Sequence, residues 1–152
     1  MKETPALTLD STIHEILKVD TRTKRPLTLY ASSVQAGFPS PAEDYVEGKL
    51  DLNQHLIKHK AATFFVRAAG DSMKNAGIFP GDLLIVDRSL EAKAGNIVIA
   101  ALNGELTVKR LKILNGSPSL SPENSSYTDI KITRDDDFSI WGVVTNVIHS
   151  LT

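Results

Sequence analysis

Short apolar runs separated by turn-forming residues dominate the chain from residue 63 onwards. The runs are rich in β-branched and aromatic side chains, as strands are, and cover residues 63–68, 83–86, 96–102, 106–114 and 138–148. Asn103-Gly104 lies between two of these runs and is typical of a two-residue hairpin turn. The pattern predicts a mainly β fold, a compact antiparallel β-sheet domain with few and short helices.

The region before residue 63 favours the short helices. Apolar residues recur at helical spacing within residues 9–17, with Ser11 available as a cap, so that a short helix is possible there. A Ser-Pro pair followed by a glutamate predicts a helix over residues 41–47. A cap at Asp51 predicts a further helix that ends near residue 58.

Residues 1–36 differ from the rest of the chain in composition. They are rich in Thr, Ser, Lys and Arg, and they hold five basic and four acidic residues. The remaining residues, 37–152, hold 12 basic and 14 acidic ones, so neither part is strongly charged. We expect a partly disordered N-terminal arm, 1–36, followed by one domain, 37–152.

The overall composition excludes several classes of function. The 152 residues include no cysteine, which excludes disulfides, thiolate catalysis and cysteine-based zinc sites and fits a reducing cytosol. A formal net charge of −1 provides no basic field to hold nucleic acid. No stretch has the ~20 apolar residues of a membrane span, and the N-terminus lacks a signal-peptide core. We therefore expect a soluble cytoplasmic protein that does not enter a membrane or bind DNA sequence-specifically.

Ser72 is the strongest candidate for chemistry. It lies in the tetrapeptide Gly-Asp-Ser-Met (70–73), shortly after the predicted strand 63–68. Gly70 would let the chain turn sharply and leave the hydroxyl exposed. The backbone amides of Asp71 and Ser72 are then candidate oxyanion donors. Taken alone, the tetrapeptide is explained better by a serine that caps a turn.

Lys109 is a candidate base for Ser72. Alternation along the predicted strand places Lys109 on one face with Thr107 and Leu111, next to apolar neighbours. Desolvation there lowers a lysine pKa, which must fall from about 10.4 to about 7 for the amine to be neutral in a cell. A neutral lysine can take the proton of a serine hydroxyl. The alternative, an edge-strand lysine that points into water, is the commoner role of strand lysines.

The chain also contains a candidate substrate for this pair. The bond Ala36–Gly37 has a small residue before the would-be cut, and Val34 lies two residues earlier. An extended peptide would point both side chains to the same face and into two small pockets. The hypothesis is a serine–lysine protease that cuts its own chain and removes the arm. Tethering supplies a high effective concentration of target, so a slow catalyst suffices.

Other catalytic arrangements are weaker. His55 and His59 have metal-ligand spacing, but no third ligand is obvious, so a solvated helix face is favoured. Gly-Asp-Ser also begins the motif of an esterase class, which needs an Asp three residues before a C-terminal His. In this chain Asn146 stands three residues before His149. We expect neither a metal nor a cofactor.

Four segments occur in the order and spacing of a known family. They are residues 34–41, 70–73, 80–82 and 105–111. Together they resemble the UmuD-type members of the LexA-like family of self-cleaving serine–lysine proteases, and the resemblance covers about residues 30–150. UmuD itself has Cys at the position of Ala36, whereas LexA-like cleavage sites use Ala.

The resemblance implies a fold, a mechanism and partners. It implies a β domain of the LexA C-terminal type, with Ser72 as nucleophile, Lys109 as general base and Ala36–Gly37 as the scissile bond. It also implies that a RecA–ssDNA filament stimulates the cut. The cleaved homodimer, residues 37–152, would then serve as accessory subunit of a UmuC-like Y-family DNA polymerase in translesion synthesis during SOS mutagenesis.

Two alternatives compete with this interpretation. A LexA-like self-cleaving transcriptional regulator needs a DNA-binding domain ahead of the cut, and 36 residues without a helix-turn-helix pattern are too few. A protease with external substrates, of the signal-peptidase kind, is disfavoured by the lack of a membrane anchor. The sequence favours the polymerase accessory subunit over both.

Overall fold

The computed structural model describes residues 7–24, 26–30 and 46–152. Within these residues the strands are β1 Thr8–Leu9, β2 Ile13–Lys18, β3 Pro26–Tyr30, β4 Val46–Asp51, β5 Thr63–Ala68, β6 Leu83–Asp87, β7 Ile97–Leu102, β8 Glu105–Leu114, β9 Ser117–Ser121, β10 Ile130–Lys131 and β11 Phe138–Ile148. One α-helix, α1, covers Leu52–Leu56, and short 3-10 turns cover Lys60–Ala62 and Lys74–Ala76. None of the helices in these ranges is long and apolar enough to span a membrane.

Nine of these strands form one sheet, while β3 and β4 form a separate two-stranded ribbon. The order in the sheet is β10-β9-β8-β7-β11-β6-β5-β2, and β1 pairs in parallel with the start of β8. The other pairings are antiparallel. The prediction of a mainly β, antiparallel fold with short helices is confirmed.

The first two strands show that the sheet curls. β1 lies at the outer edge of β8 and β2 at the outer edge of β5, so about six strand spacings, or about 29 Å, would separate them in a flat sheet. Leu9 ends β1 and Ile13 begins β2, and four residues of chain span at most about 14 Å. The sheet therefore bends until β5 and β8 approach each other, and residues 10–12 bridge the gap between them.

The strands predicted after residue 63 are confirmed, and so is the hairpin between β7 and β8. Asn103 and Gly104 have φ angles of 50° and 83°, and positive φ at both central residues is what a type I′ hairpin turn requires. The helix predicted from Asp51 is found as α1, with Asp51 as its cap. Local turn and cap chemistry was therefore sufficient to place these elements.

The short helix that the sequence allowed within residues 9–17 is not found, and the expectation of disorder is wrong for residues 8–18. Here β1 pairs with β8 and β2 pairs with β5. Side chains alternate along β2 between buried or half-buried and exposed, beginning with the buried Ile13. Without β2 the β5 edge would present unpaired backbone groups. Pairing with that edge outweighs a weak local helix propensity.

The helix expected over residues 41–47 is wrong at its end. Residues 46 and 47 belong to β4, which pairs with β3. Residues 41–45 lie outside the described residues. The Ser-Pro signal was local, whereas β4 depends on a partner strand that lies earlier in the chain.

Two buried apolar clusters occupy the two faces of the curled sheet. The larger contains Ile13, Val66, Ala68, Met73, Ile78, Leu84, Val86, Ile99, Ala101, Leu106 and Val108. The smaller contains Val98, Ala100, Leu111 and Leu120. Strands β7 and β8 contribute to both clusters because successive side chains point to opposite faces. A polar side chain in the middle of β8 is therefore buried whichever face it occupies.

Gly142 in β11 leaves no room for a side chain. An added Cβ would lie 2.7 Å from Val86 Cγ1 and 3.1 Å from the carbonyl oxygen of Asp87. We expect Gly142→Ala to lower the free energy of unfolding by about 1–3 kcal/mol through overpacking, as measured by urea denaturation. Ser139→Ala, at an exposed position of the same strand, is the matched control and should change it by less than about 0.5 kcal/mol. Equal stability of both variants would contradict the tight packing of β11 on β6.

Candidate active site

Ser72 lies on a short loop after β5, which we call the β5 loop (residues 69–72). Gly70 has a φ of 67°, a left-handed conformation that glycine adopts without strain. Ser72 is 5% exposed, and its Oγ has no hydrogen-bond partner among the described residues. The hydroxyl is therefore buried, not exposed as the sequence suggested. Buried hydroxyls without a partner are rare, so this one is a candidate for function.

Residues 123–127 hold the β5 loop in place. The Glu123 amide donates to the Ser72 carbonyl at 2.8 Å. Asn124 Nδ2 donates to the Asp71 carbonyl at 2.9 Å, and Tyr127 Oη donates to Asp71 Oδ1 at 2.7 Å. Sequence reasoning missed these supports because they come from more than 50 residues away and carry no local pattern. They fix the loop and, with it, the direction of the serine side chain.

The amides of Asp71 and Ser72 are the predicted oxyanion donors. Neither amide donates to a backbone or side-chain group in the described part of the chain. The Asp71 carbonyl, which shares a peptide plane with the Ser72 amide, accepts from Asn124 Nδ2, so the plane of that amide is held from one side. Preorganised N–H groups of this kind can stabilise a tetrahedral oxyanion.

Lys109 lies in the middle of β8, opposite Val98 of β7. It is 7% exposed, and its Nζ donates to Thr107 Oγ1 at 2.7 Å and to the Val108 carbonyl at 3.1 Å. Burial lowers the pKa of Lys109, while the negative charges of Asp10 and Glu105 oppose this effect. Lys109 is thus a desolvated lysine and not an edge residue that points into water.

Two arm residues that the sequence reasoning did not single out complete the surroundings of Lys109. Asp10 Oδ2 lies 3.8 Å from Lys109 Nζ. Thr12 Oγ1 donates to Asp10 Oδ1, accepts from the Val108 amide at 2.9 Å and lies 3.5 Å from Thr107 Oγ1. Asp10, Thr12, Thr107 and Lys109 therefore form a closed polar ring. The arm contributes directly to the electrostatics of the candidate base.

Ser72 and Lys109 belong to neighbouring elements but are not hydrogen-bonded to each other in the described structure. The Ala69 amide in the β5 loop donates to the Thr12 carbonyl at 2.9 Å, and the Thr12 side chain accepts from Val108 on β8. Thr12 thus contacts both elements at once. The curl of the sheet brings the β5 loop, which carries Ser72, towards β8, which carries Lys109. Thr12 of the arm lies between these two elements.

The predicted scissile bond, Ala36–Gly37, lies outside the described residues. Along the chain, residues 31–45 join the end of β3 to the start of β4, and Tyr30 and Val46 are register partners there. A cut at this bond would leave β1, β2 and β3 on one fragment and all later strands on the other.

Two of the histidines pair with buried aspartates rather than with Ser72. His59 Nδ1 lies 2.6 Å from Asp87 Oδ2, and His149 Nδ1 lies 2.5 Å from Asp82 Oδ1. Across the described ranges, no three His, Cys, Asp or Glu side chains gather as a metal site requires. Serine–histidine and metal chemistry therefore gain no support from these ranges.

Most of this chain is similar to known proteins. A family model described as peptidase S24-like matches residues 28–145. The protein ImpA of Salmonella typhimurium is 51% identical over 121 residues, which cover 80% of this chain and 82% of ImpA. The protein MucA of Escherichia coli is 44% identical over 126 residues, which cover 82% of this chain and 84% of MucA. The LexA repressor of Bordetella parapertussis is 38% identical over 117 residues, which cover 77% of this chain and 54% of that repressor. The chain therefore belongs to the peptidase S24-like family, as a self-cleaving peptidase of the LexA/UmuD type.

Proposed function

We propose that this chain cuts its own Ala36–Gly37 bond, with Ser72 as nucleophile and Lys109 as general base. The burial of Lys109 in β8 is the observation that carries the proposal. An exposed lysine stays charged at neutral pH and cannot accept a proton, whereas burial favours the neutral amine. Membership of a family of self-cleaving peptidases supports the same reaction.

The proposed reaction needs only groups of this chain and water. Neutral Lys109 Nζ takes the hydroxyl proton as Ser72 Oγ bonds to the Ala36 carbonyl carbon, and the resulting oxyanion accepts from the amides of Asp71 and Ser72. Collapse of this intermediate breaks the bond to the Gly37 nitrogen, which receives the proton from Nζ. Lys109 then deprotonates a water molecule that attacks the ester, and the proton returns to Ser72 Oγ as the acid leaves.

The proposed role of the product is that of a polymerase accessory subunit. Residues 37–152 would act as a homodimer with a UmuC-like Y-family DNA polymerase in translesion synthesis, after a RecA–ssDNA filament has stimulated the cut. The similarity to ImpA and MucA, which extends over about four fifths of each chain, supports this reading over the regulator. Residues 8–9, 13–18 and 26–30 form strands, whereas helix-turn-helix recognition of DNA needs a pair of helices.

Self-cleavage is tested by incubating the purified protein with RecA, ATP and single-stranded DNA, and separately at alkaline pH without RecA. We expect a fragment whose N-terminal sequence begins at Gly37, because high pH neutralises the lysine without an activator. Omission of the single-stranded DNA at neutral pH is the control and should leave the chain mostly intact. A different first residue, or no fragment under either condition, would refute the proposed cut.

The downstream role needs a separate assay. Primer extension past an abasic site by a Y-family polymerase should increase with the cleaved protein and not with the uncleavable Ser72→Ala form. A gel shift of promoter DNA by the intact protein, with no effect on primer extension, would instead favour the transcriptional regulator.

A further inference from the structure

Residues 8–13 bridge the two elements that carry the candidate site. On one side the Asp10 amide donates to the Leu106 carbonyl of β8 at 3.0 Å. On the other side the Thr12 carbonyl accepts from the Ala69 amide of the β5 loop at 2.9 Å. A peptide cut by Ser72 with Lys109 as base would have to lie beside both the β5 loop and β8. The arm segment is bonded to both of these elements, so we infer that it would compete with such a peptide.

The same segment engages the base. Lys109 Nζ contacts Thr107, the Val108 carbonyl and Asp10, while Ser72 Oγ has no partner in the described residues. The groups that Nζ contacts are thus Thr107, Val108 and Asp10, and it makes no hydrogen bond to the serine. The site thus contains its two predicted reactive groups, but in an arrangement that does not transfer a proton between them.

Few charged groups face Lys109. Asp10 approaches from the arm and Glu105 from the same strand. Strands β7 and β9, which flank β8, carry no ionisable side chain. Asp71 in the β5 loop is engaged by Tyr127. Asp10 is also held firmly, because the Thr12 amide donates to its Oδ1 at 2.8 Å and the Thr12 hydroxyl donates to the same oxygen.

We propose that residues 8–13 form an autoinhibitory strap, in which Asp10 keeps Lys109 as an ammonium group that is not hydrogen-bonded to Ser72 until the strap is released. The inference rests on the proposed function, since it concerns the regulation of the same base. Asp10 is a positioning residue in this scheme, because it acts on Lys109 and touches no substrate. A substrate peptide that replaces the strap keeps Lys109 buried but removes the carboxylate, which favours the neutral amine.

Asp10→Asn tests the role of the carboxylate with little change of shape. The Asn Oδ1 can still accept from the amide and hydroxyl of Thr12, so only the charge is lost. We expect self-cleavage at neutral pH to become about three- to ten-fold faster and the midpoint of the rate–pH curve to move to lower pH, with a similar plateau. Asp20→Asn, which removes an exposed partner of Arg22 on the same arm, is the matched control and should behave like the unmodified protein. An Asp10→Asn protein with an unchanged rate and midpoint would overturn the strap.

A direct titration separates failure of the strap from failure of the proposed function. Uncleavable Ser72→Ala protein with labelled lysines allows the Lys109 side chain to be titrated by NMR, with and without Asp10→Asn. A midpoint that falls with Asp10→Asn supports the strap even if no cleavage is ever observed, in which case the proposed function alone fails. A midpoint that does not move overturns the strap even if cleavage is normal.

A covalent lock tests whether the strap must leave. Thr8 and Glu105 are register partners in the β1–β8 pair, and the chain has no cysteine of its own. In a protein with Thr8→Cys and Glu105→Cys, we expect the oxidised form to cut at least about ten-fold more slowly than the same protein after reduction. The reduced form is the internal control for the two substitutions. Equal rates in the two forms would show that release of the strap is not required.

Discussion

Replacing Ser72 by Ala should abolish release of the fragment that begins at Gly37. The substitution removes the oxygen that forms the ester in the proposed reaction, so we expect the cleavage rate to fall by about 10³-fold or more. Lys109→Met keeps an unbranched side chain of similar length but removes the amine, and we expect a loss of about 10²- to 10⁴-fold. Intact mass spectrometry after incubation at alkaline pH, where we expect the unmodified protein to cut fastest, measures both losses.

A second lysine on β8 provides the control for these variants. Lys112 lies near Asp129, and its side chain is 43% exposed, so Lys112→Met removes a charge from the same strand without touching the site. It should cut at the rate of the unmodified protein. Thermal unfolding followed by circular dichroism shows whether each variant is folded. A folded Lys109→Met protein that cuts normally would exclude Lys109 as the base.

Some elements could be predicted because the interactions that determine them are between residues close together in the sequence. The Asn103-Gly104 turn needs two residues that accept positive φ, and the two types stand side by side in the sequence. Asp51 caps α1 through an amide two residues away. Lys109 was found as a candidate because the alternation of a single strand places it among apolar side chains. In each case the interaction partners lie within a few positions along the chain.

The rest of the site could not be predicted because it depends on contacts between residues that are far apart in the sequence. Asp10 reaches Lys109, and Asn124 reaches Asp71, only after the sheet has curled and brought β1, β8 and the β5 loop together. The spacing of apolar residues in 9–17 fitted a helix about as well as a strand, and the open edge of β5 decided between them. Ser72 was expected to be exposed because Gly70 allows a sharp turn, and this local signal could not reveal that Thr12 packs against the same loop.

Cleavage at Ala36–Gly37 should leave the first fragment bound to the second. The cut breaks one peptide bond, whereas β1 stays paired with β8, β2 with β5 and β3 with β4. Ile13 of the arm is 4% exposed and belongs to the main core cluster, so its departure would expose apolar surface on both fragments. We expect residues 1–36 to elute together with residues 37–152 in size-exclusion chromatography at micromolar concentration, and native mass spectrometry would identify the pair.

Ile13→Ala should convert this retention into release. Loss of a buried isoleucine costs about 2–5 kcal/mol, which corresponds to a weakening of the complex by about 30-fold or more. Ile16→Ala, on the same strand but 37% exposed, is the matched control and should leave the fragments together.

If residues 37–152 of the otherwise unmodified protein elute alone after the cut, the arm is held mainly by its covalent link. If the first fragment remains bound, cleavage and loss of the arm are two separate steps. The second step requires the hydrogen bonds between β2 and β5 to break. Because the strap lies on the same fragment, Asp10 would then be able to return to Lys109 after the first cut and limit further cutting by the same site.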